Sequence, residues 1–101
     1  MRIISKRTLK EFWQSDQKYL DSKGQLEAWH SEMQKADWNT PQDVKAQFGH
    51  ASIVKGSRVV FNICGNKYRL VVKINYPHKV IYVRFIGTHR QYDHIEVETI
   101  C

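Results

Sequence analysis

The hydrophobic positions of this chain change their period near its midpoint. Up to about residue 50, apolar residues recur at spacings of three and four, as in Leu26, Trp29 and Met33, which is typical of amphipathic helices. From Arg58 onward, apolar and polar residues alternate, which is typical of strands with one buried face. Helices followed by strands predict an α+β fold, with N-terminal helices packed on a small, mainly antiparallel β-sheet.

Capping signals predict where the helices begin. Thr8 and Glu11 have the spacing of a capping box, in which a hydroxyl and a carboxylate satisfy free backbone N–H groups. Thr40 followed by Pro41 has the form of an N-cap and a first helical residue. The predicted elements are a short edge strand at residues 1–4 and helices that begin at Thr8, at about Ser22 and at Thr40, the second ending near Ala36 and the third near Gly49.

Two turn signals divide the second half of the chain. Gly65 and Asn66 both tolerate positive φ and form a two-residue hairpin signal. Pro77 cannot donate a hydrogen bond to a strand ladder, so it marks the second turn. These turns separate three predicted strands, at residues 58–64, 67–75 and 80–86.

The same turns predict how the strands pair. Asn62 is expected opposite Arg69, and a second turn centred on Tyr76-Pro77 places Arg69 opposite Arg84. A register shift of two residues would keep the two faces, whereas a slip of one would place Arg84 on the apolar face.

Alternation then assigns the side chains to two faces. One face is apolar and is expected to pack on the helices; it carries Val59, Phe61, Ile63, Tyr68, Leu70, Val72, Ile81, Val83 and Phe85. The other face is mixed and basic; it carries Arg58, Asn62, Lys67, Arg69, Lys73, Tyr82 and Arg84, with Val60, Val71 and Val80 between them.

Charge is divided unevenly along the chain. Residues 1–50 contain eight Lys or Arg against seven Asp or Glu, a net of +1, whereas residues 51–101 contain eight against three, a net of +5. With a pI near 9.5, the basic half indicates a polyanion such as nucleic acid, or an acidic partner. A length of 101 residues fits one domain over residues 1–101.

The compartment and the cofactors are constrained by composition. Two cysteines, Cys64 and Cys101, are too few for a disulfide framework, and no segment has the pattern of a signal peptide or a membrane span. A cytoplasmic location is therefore expected. His89 and His94 are five residues apart, which does not match a metal site, and neither a metal nor another cofactor is expected.

The predicted pairing of Arg69 with Arg84 raises a question of charge. Like charges opposite each other on neighbouring strands are destabilising, so the pair suggests a bound anion, and phosphate suits the guanidinium fork. The alternative is that both side chains are solvated or paired with carboxylates. His89, Tyr92 and His94 follow the strand that carries Arg84, and imidazole and phenol groups transfer the protons that cleavage of an RNA phosphodiester requires.

Two stretches, VVFNICGNKYRLVVKI and YVRFIGTHRQYD, carry a family resemblance. Together with the opening MRIISKRTLKEF, their order and spacing resemble the HigB toxins of bacterial toxin–antitoxin pairs, which are relatives of RelE. The resemblance implies a RelE-like microbial RNase-type fold. It also implies a metal-independent endoribonuclease, or mRNA interferase, that cuts messenger RNA in the ribosomal A site and is restrained by a cognate HigA-like antitoxin with a helix-turn-helix.

The resemblance further implies roles for individual residues. Arg69 and Arg84 would hold the scissile phosphate while the 2′-hydroxyl attacks it. His89 and Tyr92 would orient the RNA or transfer protons, with Asp93 orienting one of them. Further RNA contacts are expected from the basic face and the strand end: Arg58, Asn62, Lys67, Lys73, Arg90 and His94.

The general base is left open among Lys67, Lys73 and His94. Two other functions also fit the basic face: a non-catalytic module that binds RNA or the ribosome on the same fold, and a docking surface for an acidic partner protein. Cleaved transcripts after induction of the protein distinguish an endoribonuclease from both.

Overall fold

A layer of helices covers one face of a five-stranded sheet in the computed structural model of the chain, which describes residues 1–100; Cys101 lies outside the described residues. The strands are β1 Arg2–Ile4, β2 Ser52–Val54, β3 Arg58–Ile63, β4 Tyr68–Asn75 and β5 Val80–Thr88. The helices are α1 Lys6–Ser15, α2 Lys23–Lys35, α3 Pro41–Gln47 and α4 His89–Tyr92, with a 3₁₀ helix at Gln17–Ser22. None of the helices within residues 1–100 is long and apolar enough to cross a membrane.

The strand order is β1-β5-β4-β3-β2. β1 runs parallel to β5, and the other neighbours are antiparallel. The predicted α+β fold, with a mainly antiparallel sheet and an edge strand at the start of the chain, is therefore confirmed. The prediction missed β2, because a three-residue strand with two exposed side chains shows no alternation.

The helix predictions differ mainly at the first cap. α1 begins at Lys6 after an extended Ser5, so the predicted capping box at Thr8 is wrong and Thr8 lies inside the helix. α2 lies within one residue of its predicted ends. α3 begins as predicted: the Thr40 hydroxyl accepts a hydrogen bond from the Asp43 N–H, and the Asp43 carboxylate accepts one from the Thr40 N–H.

The core lies between the helices and the apolar face of the sheet. Trp29 of α2 packs edge-on against Phe61 of β3, with ring centroids 5.6 Å apart, and Phe48 meets Phe61 at 5.2 Å. Of the nine side chains predicted on this face, all but Phe85 are buried in the core. The helices contribute Leu9, Trp13, Leu26, Trp29, Met33 and Val44, and the segment between α2 and α3 contributes Trp38.

Pairing between β3 and β4 is as predicted, with Asn62 opposite Arg69 and Phe61 opposite Leu70. The turn is closed by a hydrogen bond from the Lys67 N–H to the Cys64 carbonyl, at 3.2 Å.

Pairing between β4 and β5 contains a β-bulge at Arg84. Val72 pairs with Val83 and Val71 with Phe85, so Arg84 is an extra residue in β5. The bulge reverses the alternation of all later residues. Phe85 therefore lies on the face away from the helices, which we call the outer face, and the prediction that it belongs to the core is wrong.

The bulge also overturns the predicted arginine pair. Arg69 pairs with Gly87, not with Arg84, and Leu70 pairs with Ile86, which packs against the core in place of Phe85. Turn residues alone indicate where a strand reverses, and they carry no information about an inserted residue further along the ladder.

Candidate functional site

Three cross-strand rows of residues make up the outer face of β3, β4 and β5. The rows follow from the pairing of the strands. From the β3–β4 hairpin outward they are Asn62, Arg69 and Gly87; Val60, Val71 and Phe85; and Arg58, Lys73 and Tyr82. The middle row is apolar, and it separates Arg69, the cation of the first row, from Arg58 and Lys73 of the third.

Arg69 points toward the hairpin end of this face. Its Nη1 donates hydrogen bonds to the carbonyls of Asn66, at 3.1 Å, and Tyr68, at 3.4 Å. Both acceptors are neutral carbonyls, and Arg69 has no carboxylate partner in the part of the chain that the structure describes. The guanidinium therefore keeps its positive charge available at this end of the sheet.

The helix α4 begins as soon as β5 ends. The Thr88 hydroxyl accepts a hydrogen bond from the Gln91 N–H at 3.1 Å, and Gln91 Oε1 accepts one from the Thr88 N–H at 2.9 Å, which is a capping box. The His89 N–H also donates to the Lys67 carbonyl at 3.2 Å. These bonds hold α4, with His89 and Tyr92, at the same end of the sheet as Arg69.

Gly87 allows a close approach beside Arg69. A Cβ atom at this position would lie 2.6 Å from Phe85 Cζ and 2.6 Å from Gln91 Oε1. The ring of Phe85 and the amide of Gln91 thus close over the glycine on the outer face, and no larger residue fits without moving them.

His89 of α4 lies beside the carboxylate of Asp93, the C-cap residue of that helix. His89 Nδ1 lies 3.3 Å from Asp93 Oδ2, one turn further along. Asp93 thus lies on the Nδ1 side of the ring, and Nε2 lies on the other side. Tyr92 is half-buried, and Arg90 and His94 are exposed beside it.

Lys67 lies in the hairpin turn rather than on the outer face, so its predicted position is wrong. Its Nζ bonds the carboxylate of Asp21 in the 3₁₀ helix, and the same carboxylate accepts a hydrogen bond from the Tyr68 hydroxyl at 2.5 Å. Hydrogen bonds from Lys67 and then Tyr68 lower the pKa of Asp21. Lys67 and Asp21 are 46 residues apart along the chain, so no local sequence pattern predicts this ion pair.

Replacing Asp21 by asparagine should lower the thermal midpoint of unfolding at neutral pH. The pKa of Asp21 is lowered from 3.8 in the folded chain, so its stabilisation is fully present above the unfolded pKa and is lost as pH falls through the folded pKa. The pKa of Lys67 is raised by the same bond, so its contribution is lost only as pH rises through that higher value. Melting curves at neutral and acidic pH check this.

The difference between wild type and Asp21→Asn should shrink in acid. Glu27→Gln is the matched control, since Glu27 is an exposed carboxylate on α2 without a partner among residues 1–100. Equal melting of wild type and Asp21→Asn at neutral pH would show that the cluster does not stabilise the fold.

Arg58 is buried, so it is not exposed on the basic outer face where the alternation places it. Only 8% of its surface is accessible. Its Nη2 donates to the Ile100 carbonyl at 2.7 Å and its Nη1 to the Gly56 carbonyl at 3.3 Å. The segment after α4 thus returns across the outer face and covers Arg58, and alternation alone could not predict this cover.

Arg84 and Lys73 lie at the end of the outer face that is away from the hairpin. They line a cleft of about 440 Å³ together with Tyr82 and Tyr76. The guanidinium carbon of Arg84 lies 5.0 Å from the ring centroid of Tyr82. The structure therefore brings Arg69, His89 and Tyr92 together at one end and places Arg84 and Lys73 at the other.

Some features of the site escaped the sequence prediction. The sequence prediction missed the capping box of Thr88 and Gln91, although its S/T-x-x-E/Q spacing indicates one. It placed Tyr82 on the outer face but gave it no role. Asn62 is exposed in the first row, as predicted. Within residues 1–100, no three His, Cys, Asp or Glu side chains are grouped so as to hold a metal ion.

The fold and the site define a class: a small α+β domain whose sheet carries unpaired cations on the face opposite its helices, as expected of a protein that binds a polyanion. The HigB toxin family, described as the RelE-like toxic component of a toxin–antitoxin system, matches residues 22–95. The chain belongs to this family.

Curated relatives agree with the family assignment. The mRNA interferase toxin HigB of Escherichia coli (strain K12) is 30% identical over 95 residues, which cover 92% of this chain and 88% of that protein. The mRNA interferase HigB of Shigella flexneri matches to the same extent. The mRNA interferase HigB of Escherichia coli O6:H1 (strain CFT073) is 27% identical over 95 residues, which cover 92% of this chain and 89% of that protein.

Proposed function

We propose that this chain is an endoribonuclease toxin that cleaves messenger RNA in the ribosomal A site. The observation that carries the proposal is the grouping of Arg69 with His89 and Tyr92 where β5 passes into α4. A fixed cation beside two proton-transfer groups is what phosphodiester cleavage needs. The names of the relatives, which describe mRNA interferases, support it.

The proposed reaction is attack by the 2′-hydroxyl on the adjacent phosphorus. A base removes the 2′-hydroxyl proton, the O2′–P bond forms, and the P–O5′ bond breaks as O5′ takes a proton. Arg69 offsets the negative charge that develops on the phosphate oxygens. His89 and Tyr92 transfer the protons, and Asp93 holds the His89 ring. The products are a 2′,3′-cyclic phosphate and a 5′-hydroxyl.

The proposed RNA path runs from this end past the segment that returns across the outer face to Ile100, toward Lys73 and Arg84. The exposed side chains of Asn62, Arg90 and His94 flank Arg69, and Lys73 and Arg84 lie further along. The role of a shared phosphate clamp is not retained for Arg84, because the bulge separates it from Arg69. Arg58 is not retained as an RNA contact, because the returning segment covers it.

Two tests address the biological role. Induction from a regulated promoter in the cytoplasm should arrest growth and leave cleaved transcripts. RNA that is bound in a salt-sensitive way and remains intact would indicate a non-catalytic binding module instead. Co-expression from the native operon should recover a complex with a helix-turn-helix antitoxin, and recovery of this chain alone from growing cells would contradict the role of a restrained toxin.

His89→Ala should lower the cleavage rate by ~10²-fold, because it removes a proton-transfer group. Tyr92→Phe keeps the ring and removes the hydroxyl. A loss of similar size indicates proton transfer by Tyr92, whereas a rate near that of wild type indicates stacking on a base. Single-turnover cleavage on pre-formed ribosome complexes measures both. An unchanged rate for His89→Ala would remove His89 from the mechanism.

A further inference from the structure

We propose that the cleft beside Arg84 is a second nucleotide-binding subsite, which takes a nucleotide that flanks the cleaved one on the same RNA strand. Its chemistry would place a phosphate on Arg84 and Lys73 and a base against the ring of Tyr82. The inference rests on the proposed function for the identity of the ligand, and on the geometry of the cleft for its existence.

Two residues that line the cleft each have one buried polar atom without a partner in the part of the chain that the structure describes. Four buried side-chain atoms in residues 1–100 have no hydrogen-bond partner, and two of them, Arg84 Nε and Tyr76 Oη, belong to residues that line this cleft. A buried donor left unpaired costs roughly 1–3 kcal/mol, and such groups are rare in folded proteins. Arg84 and Tyr76 are thus residues of the cleft wall whose enclosed polar atoms the described chain leaves without a partner.

The charge of the cleft selects an anion. Arg84 and Lys73 contribute two positive charges, and no Asp or Glu is among the residues that line it. Across the described part of the chain, neither cation forms an ion pair. The guanidinium fork of Arg84 matches the oxygens of a phosphate.

Tyr82 adds an aromatic surface to this anion site. Its ring lies against the Arg84 guanidinium, with 5.0 Å between the guanidinium carbon and the ring centroid. Stacking on tyrosine and on arginine planes is how single-stranded RNA bases are held. The volume of about 440 Å³ lies within the ~300–1,000 Å³ that small-molecule sites occupy.

The position of the cleft relates it to the proposed cleavage end. Arg84 precedes Gly87, the partner of Arg69, by three residues on β5. At ~3.3 Å per residue, this is about 10 Å along the strand. Because Arg69 points to the hairpin and Arg84 lies in the cleft at the other end, the two arginines contact separate phosphates of one RNA.

The test is titration of the isotope-labelled chain with adenosine 5′-monophosphate, followed by NMR. Amide signals of β4 and β5 around Lys73 and Tyr82 should shift, while those of α2 should not. Tyr82→Leu and Lys73→Gln should each weaken binding about tenfold, in keeping with the worth of one base stack or one charged phosphate contact. Lys10→Gln, an exposed lysine on α1, is the charge-matched control and should bind as wild type does.

Three results would overturn the subsite: no shift around the cleft, equal affinity of the Tyr82 and Lys73 variants and wild type, or shifts of the same size with inorganic phosphate alone, which indicate an anion site without a base contact. The experiment involves no cleavage, so its outcome is independent of catalysis. Binding at the cleft by a chain that leaves RNA intact would retain the subsite and reject the endoribonuclease. Cleavage of RNA by a chain that does not bind at the cleft would retain the endoribonuclease and reject the subsite.

Discussion

Arg69→Ala should reduce the rate of RNA cleavage by ~10²-fold or more while leaving the fold unchanged. Removal of one charge-stabilising donor in a transition state costs roughly 2.7–4 kcal/mol, and each ~1.4 kcal/mol is a factor of ten in rate. The fold should survive because Arg69 lies on the outer face opposite Gly87, and its hydrogen bonds reach only the Asn66 and Tyr68 carbonyls.

The measurement is single-turnover cleavage at matched protein concentration, with circular dichroism as the check on folding. Arg69→Lys keeps the charge but loses the planar fork, so its rate should lie between those of wild type and Arg69→Ala. Lys10→Ala, on the helix layer, should cleave as wild type does. Full activity of Arg69→Ala would remove Arg69 from the phosphate site.

Leu70→Ala, at the next residue of β4, should lower the stability of the fold and leave the cleavage rate of the folded protein unchanged. Leu70 is completely buried on the core face, and truncation of a buried leucine costs ~2–5 kcal/mol in the free energy of unfolding. Denaturant unfolding measures this loss directly. Under conditions in which the variant remains folded, its cleavage rate per folded molecule should stay near that of wild type, since the side chain faces away from the proposed RNA path.

A conservative control separates packing from strand propensity. Ser52→Ala changes an exposed position of β2 and should alter the free energy of unfolding by less than about 0.5 kcal/mol. A similarly small loss for Leu70→Ala would mean that the β4 register, and with it the outward direction of Arg69, is wrong.

Local signals accounted for most of the fold. The cap at Thr40 and Pro41, the period of α2 and the hairpin after β3 each involve residues within a few positions of one another, so their physics is contained in a short window. The capping-box prediction was wrong at Thr8, because Ser5 is the N-cap and α1 begins at Lys6.

Features that depend on distant parts of the chain were not predictable in this way. The bulge at Arg84 is a property of the β4–β5 ladder as a whole. The burial of Arg58 depends on the segment that returns to Ile100. The position of Lys67 depends on its ion pair with Asp21, which is distant in the sequence. The sequence therefore identified the candidate residues by their chemistry. Only the structure showed that they form two groups, one at each end of the sheet.

The most direct test of the proposed reaction is cleavage of messenger RNA that carries a single 2′-deoxy nucleotide at the cut site, compared with the unmodified message on the same ribosome complexes. The proposal requires the 2′-hydroxyl as nucleophile, so the modified message should resist cleavage at that position. The unmodified message should yield a 2′,3′-cyclic phosphate or 3′-phosphate and a 5′-hydroxyl. Cleavage of the 2′-deoxy message at the normal rate would contradict the mechanism, whatever the variants show.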